Sequence, residues 1–348
     1  MTRGHQPTVA IVGGGTWGTT LAILLGRRER TVLIVRRPER AALLEVARED
    51  AERLPGIRFP ARLTVTADPG RVASADLVVV AIPSAFLREG VRAIAPRFAA
   101  SATVVSVVKG IERGTLRRMS QVIAETAGVD PARIAVLSGP NLAPEIARGL
   151  PASAVVAATD EALAARVRDR IGTRFFRLYT NEDVTGVELA GALKNVVAIA
   201  AGAADALGFG DNGKAALITR GLAEITRLGV AAGGSPMTFS GLAGMGDLIA
   251  TCESTLSRNH RLGVELARGH RPVLVGEAIG GVAEGAFTVD AAIALADTLD
   301  VEVPIAREVH LALFEGKPVR RCLADLLARE LRDELADRGA WRRALARP

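Results

Sequence analysis

The segment that most constrains the fold lies near the start of the chain. Thr8-Val-Ala-Ile-Val12 is a near-continuously apolar, β-branched run, Gly13-Gly-Gly-Thr-Trp-Gly18 follows without a spacer, and Thr16 to about Arg28 has an amphipathic helical pattern. A strand that turns on glycines straight into a helix opens a doubly wound α/β sheet and marks a dinucleotide site over Val9 to Arg37. Gly13 permits the tight turn, Gly15 lets the backbone approach a pyrophosphate, and Gly18 lets helix and strand pack closely. The phosphates of a dinucleotide then lie at the positive end of the helix dipole.

Further buried-strand patterns follow at Thr31–Val35, Leu77–Ile82, Thr103–Val108 and Arg133–Leu137, and the runs 154–158 and 175–179 extend the series. Such strands are covered on both faces. Past Asp183 the strand-like runs nearly vanish, and helical stretches separated by glycine-containing loops (229–234, 241–246) take over. The pattern predicts an α/β chain. Residues 1–184 form a Rossmann-type, mostly parallel sheet with helices on both faces, and residues 185–348 form an all-helical substrate-binding and catalytic domain.

Aromatic residues are only 3% of the chain, too few for the stacking platforms that grip single-stranded nucleic acid. The formal charge of +6 gathers near the end, where 317–347 hold nine Lys or Arg against five Asp or Glu. That mixture reads as a solvated helix over 323–335, so no nucleic-acid partner is expected. Two cysteines are too few for a disulfide framework and fit a reducing compartment. The first seven residues lack a secretory h-region, and the apolar stretch 196–204 is far shorter than the roughly 20 residues of a membrane span. A soluble cytoplasmic protein is expected.

The second predicted strand ends in Val35-Arg36-Arg37, where NAD-binding chains usually carry Asp or Glu for the ribose hydroxyls. Guanidinium groups accept a 2′-phosphate with paired hydrogen bonds. Arg36 and Arg37 therefore favour NADPH/NADP, with NADH/NAD as the alternative. In an open parallel sheet ligands bind beyond the carboxyl ends of the strands. Lys109-Gly-Ile-Glu112 and Ser138-Gly-Pro-Asn-Leu-Ala-Pro-Glu145 arrive there, bringing Lys109 and Asn141.

The stretch 187–207 is apolar almost all round, yet holds Glu188, Lys194-Asn195 and Asp205. A lysine in such a buried helix loses hydration and its pKa falls, which suits proton transfer. Asp247 and Thr251 share a face if their segment is helical. Ser257-Arg258-Asn259 offers hydroxyl, guanidinium and amide donors suited to phosphate. The four histidines are read as lying away from these clusters, which argues against a His base or a metal site.

Taken together, Gly13–Gly18, Lys109–Glu112, Ser138–Glu145, Glu188–Asn195, Ala215-Ala-Leu-Ile-Thr-Arg-Gly221, Gly241-Leu-Ala-Gly-Met-Gly-Asp-Leu248 and Ser257–Asn259 resemble the NAD(P)-dependent glycerol-3-phosphate dehydrogenase family. They occur in family order over most of the chain. The resemblance implies reversible reduction of dihydroxyacetone phosphate to sn-glycerol 3-phosphate, the glycerol backbone of phospholipids, by a homodimer. It implies that Lys194 is the general acid/base, with Asp247 beside it. Substrate would touch Lys109, Gly139, Asn141, Lys194, Asp247, Ser257, Arg258 and Asn259, with Arg258 and Asn259 on the phosphate. The cofactor would touch the glycine turn, Thr16, Trp17, Arg36, Arg37, Lys109, Ala143, Arg258, Val282 and Glu284. Position 141 is Asn where many members carry Ser or Thr, and the chain past about 322 matches no motif. Two alternatives remain open at this point: a related NADP-dependent dehydrogenase of a β-hydroxy acid or sugar-phosphate acid, and a non-catalytic NADP(H)-sensing module.

Overall fold

A computed structural model describes residues 9–270 and 283–329. Within them the chain divides into two units, one of residues 9–108 and 119–184, the other of 109–118 and 185–329.

In the first unit the β-branched runs become β1 (Val9–Val12), β2 (Thr31–Ile34), β4 (Leu77–Val80), β5 (Thr103–Ser106), β6 (Ile134–Ser138), β7 (Ala152–Ala157) and β8 (Phe176–Asn181), joined by β3 (Leu63–Thr66). Their order is β3-β2-β1-β4-β5-β6-β7-β8, and every pairing is parallel except β6 with β7. Strand β3 is missing from the sequence reading. Leu63-Thr-Val-Thr66 sits at the sheet's edge and alternates buried with less buried residues, so it lacks the continuous apolar run of the inner strands.

The helices here are α1 (Thr16–Gly26), α2 (Pro38–Ala47), α3 (Leu87–Ile94), α4 (Met119–Ala127), α5 (Ala143–Ala147) and α6 (Glu161–Ile171). Successive strand residues point to opposite faces. Val9, Ile11, Leu33, Val79 and Val105 join α1 and α6 in one core, while Ala10, Val12, Val32, Val78 and Val104 join α3 and α4 in the other.

The second unit is helical: α7 (Val184–Ala206), α8 (Gly210–Ala231), α9 (Pro236–Phe239), α10 (Asp247–Glu253) and α11 (Arg258–Ala267), then Glu284–Thr298, Pro304–Phe314 and Val319–Leu327. Helix α7 as a whole is long and apolar enough to cross a membrane, but its apolar window is entirely buried as the unit's core. Glycines that read as loops do other work. Gly229 lies inside α8, where a Cβ would meet the Phe239 ring at 2.0 Å, and Leu242–Gly246 is a π-helical turn leading into α10.

Residues 109–118, counted by chain position with the first domain, belong to the second unit. Ile111 and Leu116 pack in the helical core, Arg118 pairs with buried Glu188, and Arg113 holds Asp290 at 2.7 Å.

Candidate active site

In the first unit the glycine turn has the geometry its spacing requires. Gly13 has φ +121°, and a Cβ there would lie 2.4 Å from the Ala81 carbonyl oxygen. At Gly18 a Cβ would meet the Gly13 carbonyl oxygen at 2.0 Å, so α1 can pack on β1 only without a side chain. Gly15 differs: a Cβ there would meet nothing within 4 Å. It is also the N-cap of α1, with no side-chain cap and no acidic residue in the first turn. The open glycine and the uncapped amides leave an anion cradle, and a dinucleotide pyrophosphate fits it.

Thr16 begins α1, and Trp17 packs edge-on against Phe176 with centroids 5.9 Å apart. Thr20 donates to the carbonyl of Ala143, the first residue of α5, at 3.2 Å. Arg36 and Arg37 are exposed just past the end of β2, and Arg37 is the N-cap of α2. One residue here escaped the sequence reading: Arg53 donates to the Gly14 carbonyl at 2.9 Å. No periodicity ties it to the glycine turn, which it reaches from 39 residues away.

After β6, Gly139 has φ +142° and packs so close to Ala154 that a Cβ would lie 2.8 Å from its Cα. Asn141 follows with both amide atoms buried and without a hydrogen-bond partner. Buried amides are rarely left so, because each unpaired polar atom costs about 1–3 kcal/mol. Both ends of this side chain are available to a ligand.

The second unit gathers the ionisable groups. Lys194 is 5% exposed, in the middle of α7, so its stem does not reach solvent. Its Nζ lies 2.9 Å from Asp247 Oδ1, and Lys109 Nζ lies 2.5 Å from Asp247 Oδ2. Lys194 also donates to the Thr251 hydroxyl, which donates onward to the Asp247 carbonyl at 2.6 Å. Thr251 has therefore spent its one hydrogen and can only accept from the lysine. Of the three ammonium hydrogens, two are held by Asp247 and Thr251. Burial pushes the Lys194 pKa down to about 8; Asp247 opposes that fall and Lys109 adds to it. One carboxylate between two ammonium groups leaves a net positive site in a dry surrounding, where charge acts strongly.

Ser257 is the N-cap of α11, accepting the His260 N–H at 3.2 Å, and exposed Arg258 begins the helix. Asn259 is buried and largely committed: its Nδ2 donates to Asn195 Oδ1 at 2.8 Å and its Oδ1 accepts the Gly285 N–H at 3.0 Å. Among the described residues its second Nδ2 hydrogen has no acceptor, so it can be offered to a ligand. His260, which the sequence reading set apart from this cluster, follows Asn259 directly and is buried. Glu284 opens the helix Glu284–Thr298, and Val282 lies outside the described residues. Among the described residues no group of three His, Cys, Asp or Glu side chains could hold a metal.

Thr251 and Asn195 enter the geometry although neither stood among the predicted site residues. Each had a signal: Thr251 is four residues from Asp247, and Asn195 is the second polar residue in an apolar helix.

The chain resembles known proteins along most of its length. Residues 8–164 match the family described as NAD-dependent glycerol-3-phosphate dehydrogenase N-terminus, and residues 183–324 match the corresponding C-terminus. The chain is 46% identical over 338 residues to the glycerol-3-phosphate dehydrogenase [NAD(P)+] of Moorella thermoacetica, covering 97% of this chain and 100% of that one. It is also 46% identical over 323 residues to the enzyme of the same name from Frankia casuarinae, covering 92% and 96%. Among solved structures, glycerol-3-phosphate dehydrogenase from Coxiella burnetii superposes with a TM-score of 0.89 at 34% identity, covering 93% of this chain and 99% of that one. These matches set aside both the related hydroxy-acid dehydrogenase and the non-catalytic sensor. The chain is an NAD(P)-dependent oxidoreductase and belongs to the glycerol-3-phosphate dehydrogenase family.

Proposed function

We propose that the enzyme reduces dihydroxyacetone phosphate to sn-glycerol 3-phosphate, reversibly, with NADPH preferred over NADH and Lys194 as the general acid/base. The observation that carries this is the lysine's hydrogen bonding. With two of its three hydrogens fixed by Asp247 and Thr251, the third is the one offered to the substrate's C2 oxygen. A pKa of about 8 lets the same group give a proton in reduction and take one in oxidation near neutral pH. Lys109, on the other oxygen of Asp247, adds positive charge where negative charge develops on the substrate. NADPH, when bound on the glycine turn, supplies the hydride.

Ser257, Arg258 and Asn259 are proposed to hold the phosphate at the start of α11, where the positive end of the helix dipole favours an anion. Binding energy from this remote group positions the carbonyl. Gly139 and Asn141 are proposed for the substrate, and Thr16, Trp17, Ala143, Arg258, Val282 and Glu284 for the cofactor. Exposed Arg36 and Arg37 support the 2′-phosphate preference. Both cysteines are free and buried, which supports a reducing, cytoplasmic setting. The family resemblance extends the proposal to a homodimer, which light scattering would test.

Lys194→Ala should abolish dihydroxyacetone phosphate-dependent NADPH oxidation, a loss of at least about 10²-fold, while NADPH binding followed by fluorescence stays near wild type. An active alanine variant removes the lysine from the chemistry. If wild-type enzyme used NADH much better than NADPH, the role given to Arg36 and Arg37 would be wrong.

A further inference from the structure

One polar cluster in the second unit takes no part in the chemistry, yet it touches each helix that carries it. Asp205 is near the end of α7, eleven residues past Lys194, which is three turns along the same face or about 16 Å. Its Oδ2 lies 2.8 Å from His260 Nε2 in α11 and 2.8 Å from Lys214 Nζ in α8. Lys214 also reaches Glu253, the last residue of α10, at 3.1 Å. Helix α7 carries Lys194 and Asn195, α10 carries Asp247 and Thr251, and the start of α11 carries the proposed phosphate donors.

The fit of α11 on α7 leaves little freedom. A Cβ on Gly202 would meet the His260 carbonyl oxygen at 2.0 Å, and one on Gly263 would meet the Ile199 carbonyl oxygen at 1.9 Å. These backbone contacts set how closely the two helices approach. They exert no pull along the seam. Directional bonds across it include Asn259 to Asn195 and His260 to Asp205. His260 Nδ1 is buried without a partner, so the imidazole's polar anchoring runs through Nε2. The carboxylate that receives it is kept ionised by the Lys214 ammonium, and an ionised acceptor makes the stronger kind of hydrogen bond.

We propose that His260, through Asp205 and Lys214, is a positioning residue that sets where the first turn of α11 presents Ser257, Arg258 and Asn259 to the substrate phosphate. The proposal rests on the phosphate assignment made above. Leucine approximates the imidazole's bulk without the bond to Asp205, whereas glutamine can place its Nε2 where the imidazole Nε2 lies.

The test compares wild type, His260→Leu and His260→Gln. It measures KM for dihydroxyacetone phosphate, kcat, and the Kd for inorganic phosphate by calorimetry. His260→Leu should raise both KM and the phosphate Kd roughly tenfold with kcat changed less than about twofold, and His260→Gln should restore both. If His260→Leu fails to fold, Lys214→Met, which removes the cation holding Asp205, should give the same pattern more weakly. A folded His260→Leu or Lys214→Met enzyme with unchanged KM and phosphate Kd overturns the proposal. So does a fall in kcat alone, or a glutamine variant as impaired as leucine. If wild type binds phosphate but does not turn over dihydroxyacetone phosphate, the substrate assignment fails instead, and the phosphate Kd still reads the effect of His260.

Discussion

Asp247→Asn separates the charge of the site from its shape. The carboxylate lies 2.9 Å from Lys194 Nζ and counters the burial that brings that lysine down to about 8. Asparagine keeps an oxygen in place and removes the charge. Even at the dielectric of bulk water, a unit charge at that separation contributes roughly 1.4 kcal/mol, about one pKa unit, and a drier site raises the figure. Lys109, which already opposes the charge on Lys194, loses its own counter-ion in the same step. The lysine pKa should therefore fall by at least about one unit.

The sign follows from the chemistry. Ketone reduction spends the ammonium proton, so its rate falls as pH rises through the lysine pKa. Alcohol oxidation needs the neutral amine and rises over the same range. In wild type both limbs should lie near pH 8. Initial rates of NADPH absorbance change in both directions, across a pH series, read them directly. In Asp247→Asn the reduction limb should move acid by at least about one unit, with oxidation moving in parallel. A limb that stays in place or moves alkaline refutes the assignment of Lys194 as the titrating acid.

The glycine turn separates binding from folding. Gly15→Ala should leave Tm unchanged, because its Cβ meets nothing and its φ of −76° suits any residue, yet calorimetry should show a much weaker Kd for NADPH. Gly18→Ala should cost about 1–3 kcal/mol in denaturant unfolding, because its Cβ would meet backbone at 2.0 Å. Glu224, buried and accepting the Ile305 and Ala306 N–H groups at 2.8 and 2.9 Å, has its pKa raised by burial to about 7. Its folded pKa exceeds the unfolded value of about 4.3, so its contribution is fully present below that value and lost as pH rises through about 7. Glu224→Gln should therefore show a smaller drop in Tm than wild type between the two, by calorimetric scans; an equal drop assigns the pH dependence elsewhere.

Sequence by itself determined the glycine turn, the inner strands and the buried lysine. Each is a local requirement. Gly13 needs a positive φ, an inner strand needs a continuous apolar run, and a lysine inside a 23-residue, largely apolar helix starts from a buried backbone position. Edge strand β3 was not legible, because an edge does not demand that run. Gly229 read as a loop residue because its reason for being glycine is the Phe239 ring, ten residues on and in another helix. Only the tertiary structure decided what Lys194 does with its charge. Sequence left open whether its stem reaches solvent; packing closes that route and brings Asp247 and Thr251 to the ammonium from 53 and 57 residues away. It likewise moved residues 109–118 out of the first domain, since Lys109, Arg113 and Arg118 find their carboxylates on the helical unit. Periodicity records which residues are buried. Which charge meets which is a property of the packed helices, and the chemistry of this site depends on that pairing.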